Sequence, residues 1–153
     1  MSLKTRVADD LKSAMKARDS LRLSVLRMMK TKLSEAEVEL RGSKGRDHEI
    51  DDDEAVRALS SYAKQRREAI ASFESAKRED LAEKERRELT IVEEYLPRQL
   101  TDDEVREIVR SAIAETGASS PKELGQVMRD VMPRLTGRAD GKRVGAIVRE
   151  ELG

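Results

Sequence analysis

Cysteine is absent from this chain, and tryptophan with it. Without a thiol there is no disulfide framework, no thiolate nucleophile, no iron–sulfur cluster and no thiolate zinc site. Aromatic residues make up only 2% of the 153 residues, as Tyr62, Phe73 and Tyr95, and glycine and proline number eight and three. Strands lean on aromatic and β-branched side chains and on frequent Gly/Pro turns, so these scarcities point to an all-α fold. No stretch approaches the ~18 consecutive apolar residues of a membrane span. Met1 to Arg18 carries charges every few residues, where a signal peptide needs an apolar run. The expectation is a soluble, cytoplasmic protein that does not engage a membrane.

What is present is charge. Asp, Glu, Lys and Arg supply 41% of the chain, against about 25% in average soluble domains. The 31 basic and 31 acidic residues cancel, which argues against a strong global attraction to nucleic acid or an anionic membrane. The length fits one domain, or a modest pair, at roughly 150 residues per domain.

Caps and apolar periodicity divide the chain. Ser2 can cap a first helix with Leu3, Val7, Leu11 and Met15 in one stripe, ending near Arg18. Asp19 or Ser20 opens a second, carrying Leu21, Val25, Leu26, Met29, Leu33, Ala36 and Leu40 and broken at Gly42–Gly45. The acidic run Asp51 to Glu54 marks the start of a third, since carboxylates favour a helix N-terminus. It runs to about Ser75, with Val56, Leu59, Ala63, Ile70 and Phe73 on its apolar face and Gln65-Arg66-Arg67 interrupting that face. Asp80 can cap a fourth, with Leu81, Leu89, Val92 and Leu96 on one side, stopped at Leu96-Pro97. Thr101 and Glu104 form a capping box for a fifth helix, closed by Gly117. Ser120-Pro121 opens a sixth, halted by Pro133. Asp140 caps the last, after a loop from Pro133 to Ala139. The predicted architecture is an N-terminal domain of about four helices, residues 1–97, followed by a C-terminal three-helix domain, residues 98–153.

Acidic and basic residues balance in each of these parts, but not everywhere within them. Between residues 121 and 149, Lys122, Arg129, Arg134, Arg138, Lys142, Arg143 and Arg149 face only Glu123, Asp130 and Asp140. Catalytic chemistry finds little to work with. The single imidazole, His48, lies in a polar segment beside Asp47 and Glu49 and reads as a solvated loop residue. Ser60-Ser61 before Lys64 and Ser119-Ser120 before Lys122 have no supporting base or orienting group. The acidic run at 51–54 lacks the alternating ligands and central glycine of a calcium loop. Gly137 and Gly141 lack the following Gly-Lys-Ser/Thr of a phosphate loop. No metal and no cofactor is expected, and no catalytic residue. Nucleic-acid binding survives as contact with phosphates and shape, because base stacking needs aromatics and none follows Tyr95.

The residues also carry a family resemblance. Gly125-Gln126-Val127-Met128, Val131-Met132-Pro133 and Gly137-Arg138-Ala139-Asp140-Gly141-Lys142, followed by Val144 and Ile147-Val148, closely resemble the signature of the GatB/YqeY family. Arg22-Leu23-Ser24-Val25-Leu26-Arg27-Met28, Lys64-Gln65-Arg66-Arg67 and the segment Glu93 to Leu100 look like the stand-alone YqeY-like proteins. The resemblance implies two helical domains, the second similar to the tail domain of the B subunit of tRNA-dependent amidotransferases, which is implicated in holding tRNA. The amidotransferase's kinase-like and amidase domains find no counterpart here, so kinship alone would suggest carbon–nitrogen ligase activity with glutamine as amido-N-donor. Carried onto this chain, the RNA-binding candidates are Arg134, Arg138, Lys142 and Arg143, with Gly137 and Gly141 shaping the turn or admitting a phosphate. Asp140 reads as a cap, and Val127, Met128, Val131 and Met132 as core. The partners expected are tRNA or another structured RNA. A translation or aminoacyl-tRNA enzyme docked on the N-terminal helices, or self-association, is the rival reading.

Overall fold

In the computed structural model, which describes residues 1–153, the Ser2 hydroxyl accepts the Thr5 backbone N–H and opens α1 (Leu3–Ala17). Its buried face is Leu3, Val7 and Ala14, with Leu11 partly buried, while Met15 is 53% exposed. A stripe stepped strictly by four drifts about 40° per step on a 3.6-residue helix, so by Met15 it has left the core and Ala14 takes its place. Asp19 accepts the Arg22 N–H and starts α2 (Ser20–Lys44), which buries Val25, Leu26, Met29 and Leu33. Within the expected break at Gly42–Gly45, α2 runs through Gly42 and stops at Gly45, whose φ is +115°. Arg41 and Lys44 hold that last turn, donating to the His48 carbonyl and to Glu54.

Asp51 and Glu54 form a capping box for α3 (Asp52–Ser75). Asp52 also accepts the Leu3 N–H at 2.8 Å, satisfying a donor at the start of α1. The core face of α3 is Ala55, Leu59, Tyr62 and Ala63, whereas Val56, Ile70 and Phe73 are half-buried. The helix α4 (Glu79–Glu93) begins without a side-chain cap, because the Asp80 carboxylate pairs with Arg78 instead. Ala82, Ile91 and Val92 are its buried residues. Arg66 crosses to Glu85 at 3.2 Å and lies over the Tyr62 ring, and Arg67 reaches Glu93. The charges that interrupt the apolar face of α3 therefore bind α4. These four helices form one unit, Met1–Leu96.

A second unit spans Pro97–Gly153. Thr101 and Glu104 complete the capping box of α5 (Asp102–Thr116), and Gly117, at φ +72°, ends it. Pro121–Glu123 forms a single 3-10 turn before α6 (Leu124–Leu135). The Ser120 hydroxyl does not cap this turn; the Glu123 carboxylate accepts the Ser119 N–H instead. Pro133 does not stop α6, which continues to the fully buried Leu135. Burying that leucine contributes about 2–3 kcal/mol, comparable with the roughly 3 kcal/mol that a proline inside a helix costs through its lost hydrogen bond and ring clash. Asp140 accepts the Lys142 N–H and caps α7 (Gly141–Leu152). Val105, Val109, Ala112, Val127, Val131, Leu135, Val144 and Val148 make the core, with Met128 and Met132 partly buried against it. The fold is all-α throughout.

Candidate nucleic-acid interface

The loop between α6 and α7 is built by backbone constraints. Gly137 has φ +74°, a conformation that side chains with a Cβ disfavour. Its carbonyl accepts the Gln99 side-chain amide at 2.8 Å, and the Arg138 carbonyl accepts the Leu100 N–H at 2.8 Å. The segment before α5 therefore pins the loop, a relationship that no local spacing in the sequence announces. Gly141 plays a different part. It is the first residue of α7, and a Cβ there would sit 3.5 Å from Met132 Cε, an ordinary contact.

The four candidate cations differ in what they touch. The Arg134 guanidinium bonds Glu115 at 2.7 Å and Asp130 at 3.0 Å, and this pair holds its pKa above the ordinary arginine value. Arg143 binds Asp102, tying the first turn of α7 to the first turn of α5. That pairing, through its hydrogen bond first, lowers the Asp102 pKa. Arg138 and Lys142 make no ion pair at all. Of the rest of the local basic excess, Lys122, Arg129 and Arg149 are also without a carboxylate partner, Arg129 donating to the Gly125 carbonyl instead.

Arg134 and Arg138 share a shallow open depression with Leu100, Glu104, Glu107, Ile108 and Ser111. Glu104 is occupied by Arg98 at 2.7 Å, and that bidentate contact, followed by the Thr101 cap, holds its carboxyl at about 2. The depression carries both signs of charge. Lys142 and Arg143 are exposed on the first turn of α7, where Asp140 already occupies the helix terminus.

No group of three or more metal-ligating His, Asp or Glu side chains converges. The acidic run at 51–54 is spent on helix starts: Asp51 and Glu54 cap α3 and Asp52 serves α1. His48 is not a solvated loop residue, as expected, but lies 20% exposed with Nε2 2.9 Å from the buried Glu54 carboxylate. Ser60 Oγ is buried without a hydrogen-bond partner, and so has no base to activate it.

A profile of Yqey-like proteins matches residues 4–152, nearly the whole chain. The protein belongs to the YqeY family. This YqeY-like chain is 30% identical over 151 residues to "Altered inheritance of mitochondria protein 41, mitochondrial" of Pyrenophora tritici-repentis, covering 97% of this chain and 80% of that one. The relative of the same name from Kluyveromyces lactis is 35% identical over 86 residues, 56% of this chain and 44% of its own. That from Saccharomyces cerevisiae strain S288c is 31% identical over 87 residues, 57% and 44%. The names of those relatives place them in mitochondria. No helix of the YqeY-like chain is long and apolar enough to cross a membrane.

Proposed function

We propose that this YqeY-like protein is a non-catalytic accessory protein that binds tRNA or another folded RNA through its C-terminal unit. The observation that carries the reading is the pair Arg138 and Lys142, cations without carboxylate partners on and beside a loop pinned by Gln99 and Leu100. An unpaired guanidinium or ammonium on a fixed backbone can meet a phosphate without first breaking an ion pair, whereas Arg134 and Arg143 must give up carboxylates. Arg138 and Lys142 are thus the principal contacts, with Arg134 and Arg143 positioned to exchange partners. Gly137 serves the turn. The resemblance of this unit to the amidotransferase tail domain supports tRNA as the RNA class.

Titration with folded tRNA at several salt concentrations tests the proposal. Three or four neutralised phosphates correspond to a slope of log affinity against log salt between about −2 and −4. Failure to bind at low salt, or an Arg138→Ala/Lys142→Ala variant with unchanged affinity, rejects it. Glutaminase and transamidation assays of the purified chain are expected to show no turnover. The cytoplasmic location read from the sequence belongs to this proposal, and fractionation of the native cell distinguishes it from the mitochondrial location named for the relatives.

A second reading is a protein-docking module. It is favoured by the outward face of α2, where Met28 is 44% and Val38 65% exposed. Light scattering with affinity capture tests it; a monomer that captures no translation enzyme counts against it.

A further inference from the structure

The ion pair of Lys4 with Glu37, at 2.8 Å, shows that α1 and α2 run antiparallel about the turn at Arg18-Asp19. The half of this hairpin nearest the turn, residues 12–32, holds Lys12, Lys16, Arg18, Arg22, Arg27, Lys30 and Lys32 against one carboxylate, Asp19. Asp19 is already committed to capping α2. Arg22 pairs with Glu94 and Lys32 with Glu35, but Lys12, Lys16, Arg18, Arg27 and Lys30 are exposed and make no ion pair. This excess is larger than the one around the α6–α7 loop. Elsewhere in the same unit more of the cations are matched: Arg66, Arg67, Arg78, Arg86 and Arg87 pair with carboxylates on or beside α3 and α4, while Arg46, Arg57, Lys77 and Lys84 do not. Because charge balances over residues 1–97, the first unit is polarised, with its positive pole at the hairpin turn.

We propose that the turn half of the α1–α2 hairpin is an RNA-contacting surface in its own right, recognising the phosphate backbone of a folded RNA. The RNA class rests on the function proposed above; the surface does not, since it lies in the other unit. Rigid helices carrying unpaired Lys and Arg suit a polyphosphate, and Ser20 and Ser24 beside Arg27 in a shallow trough on α2 add hydroxyl donors for phosphate oxygens. Insertion into a lipid surface needs a broad free apolar face on such helices. Here that face is already buried, as Val7, Ala14, Val25, Leu26, Met29 and Leu33, leaving Met15 and Met28 as the exposed large apolar residues of the turn half.

The full-length chain and a Lys12→Gln/Lys16→Gln/Arg27→Gln/Lys30→Gln variant, checked for unchanged helicity, are titrated with a folded tRNA transcript over a range of salt. At about 0.9 per phosphate contact, four hairpin contacts add about 3.5 to the slope contributed by the C-terminal unit, so their loss makes the salt slope shallower by about 3.5 and weakens low-salt binding at least tenfold. Unchanged affinity and slope overturn the hairpin surface. If that null result accompanies loss of binding in Arg138→Ala/Lys142→Ala, the hairpin fails while the C-terminal reading stands. The reverse pattern supports the hairpin and rejects the C-terminal reading. Two further probes can also overturn it: poly-glutamate binding as tightly as tRNA, or phosphatidylserine vesicles retained through the same four residues while tRNA is not bound.

Discussion

Glu37 accepts the backbone N–H of Ile50 at 2.9 Å, across the turn that joins α2 to α3. The same carboxylate, 10% exposed, also takes Lys4 at 2.8 Å and Arg41 at 3.1 Å. The Ile50 hydrogen bond, ahead of Lys4, draws its pKa below the ordinary glutamate value. One buried acid thus holds α1, α2 and the connection to α3 together.

Removing it leaves a buried N–H and two cations without their acceptor. Glu37→Ala is expected to destabilise the protein by about 2–3 kcal/mol, the range for losing hydrogen bonds to a charged group. Urea denaturation measures this; a shift in midpoint corresponding to less than ~0.5 kcal/mol would show that water replaces the carboxylate.

Acid stability should turn on Glu54. Its carboxyl is held at about 2, chiefly by the Asp51 backbone N–H and then by Lys44, against an ordinary value of 4.5. A folded-state pKa below the unfolded one means that the unfolded chain takes up the proton first. The stabilisation is complete above the unfolded value and is lost as pH falls from about 4.5 toward 2. Glu54→Gln is expected to be less stable than wild type at pH 7 and to show a flatter decline over that window. Parallel acid limbs in the two proteins would contradict this.

The two glycines of the loop should behave oppositely. Gly137→Ala places a Cβ at φ +74° and is expected to cost about 1 kcal/mol. Gly141→Ala meets only Met132 Cε at 3.5 Å and gains helix propensity, so stability within about 0.5 kcal/mol of wild type is expected. Thermal unfolding of both variants decides; equal losses would mean that Gly141 is sterically required after all.

Residues 97–153 expressed alone are expected to be soluble and helical but to melt below the full chain. A unit of roughly 60 residues buries only about 60% of the surface that its unfolded chain exposes. Identical melting curves would show the unit to be thermally independent.

Features set by a few neighbouring residues were mostly legible in the sequence, although Asp80 and Ser120, which read as caps, do not cap their helices. Ser2, Asp19, Asp51, Thr101 and Asp140 each bond a backbone N–H two or three residues on, so the cap and its target lie in one short window. Features decided by burial were not. Proline at 133 looks like a stop until Leu135 is seen buried beyond it. The site divides along the same line. Which residues are basic is plain in the sequence, but Arg134 meets Glu115 and Arg143 meets Asp102, 19 and 41 residues away. Only folding reveals which cations remain available.

Both tyrosines and the single phenylalanine belong to the first unit, Tyr95 donating to Asp10 under the Arg6 guanidinium and Tyr62 lying beneath Arg66. Near-ultraviolet absorption and tyrosine fluorescence therefore report on the four-helix unit alone, while the three-helix unit is dark at those wavelengths. Followed together with far-ultraviolet circular dichroism, which sees every helix, a single denaturation experiment can separate the unfolding of the two halves without any added label.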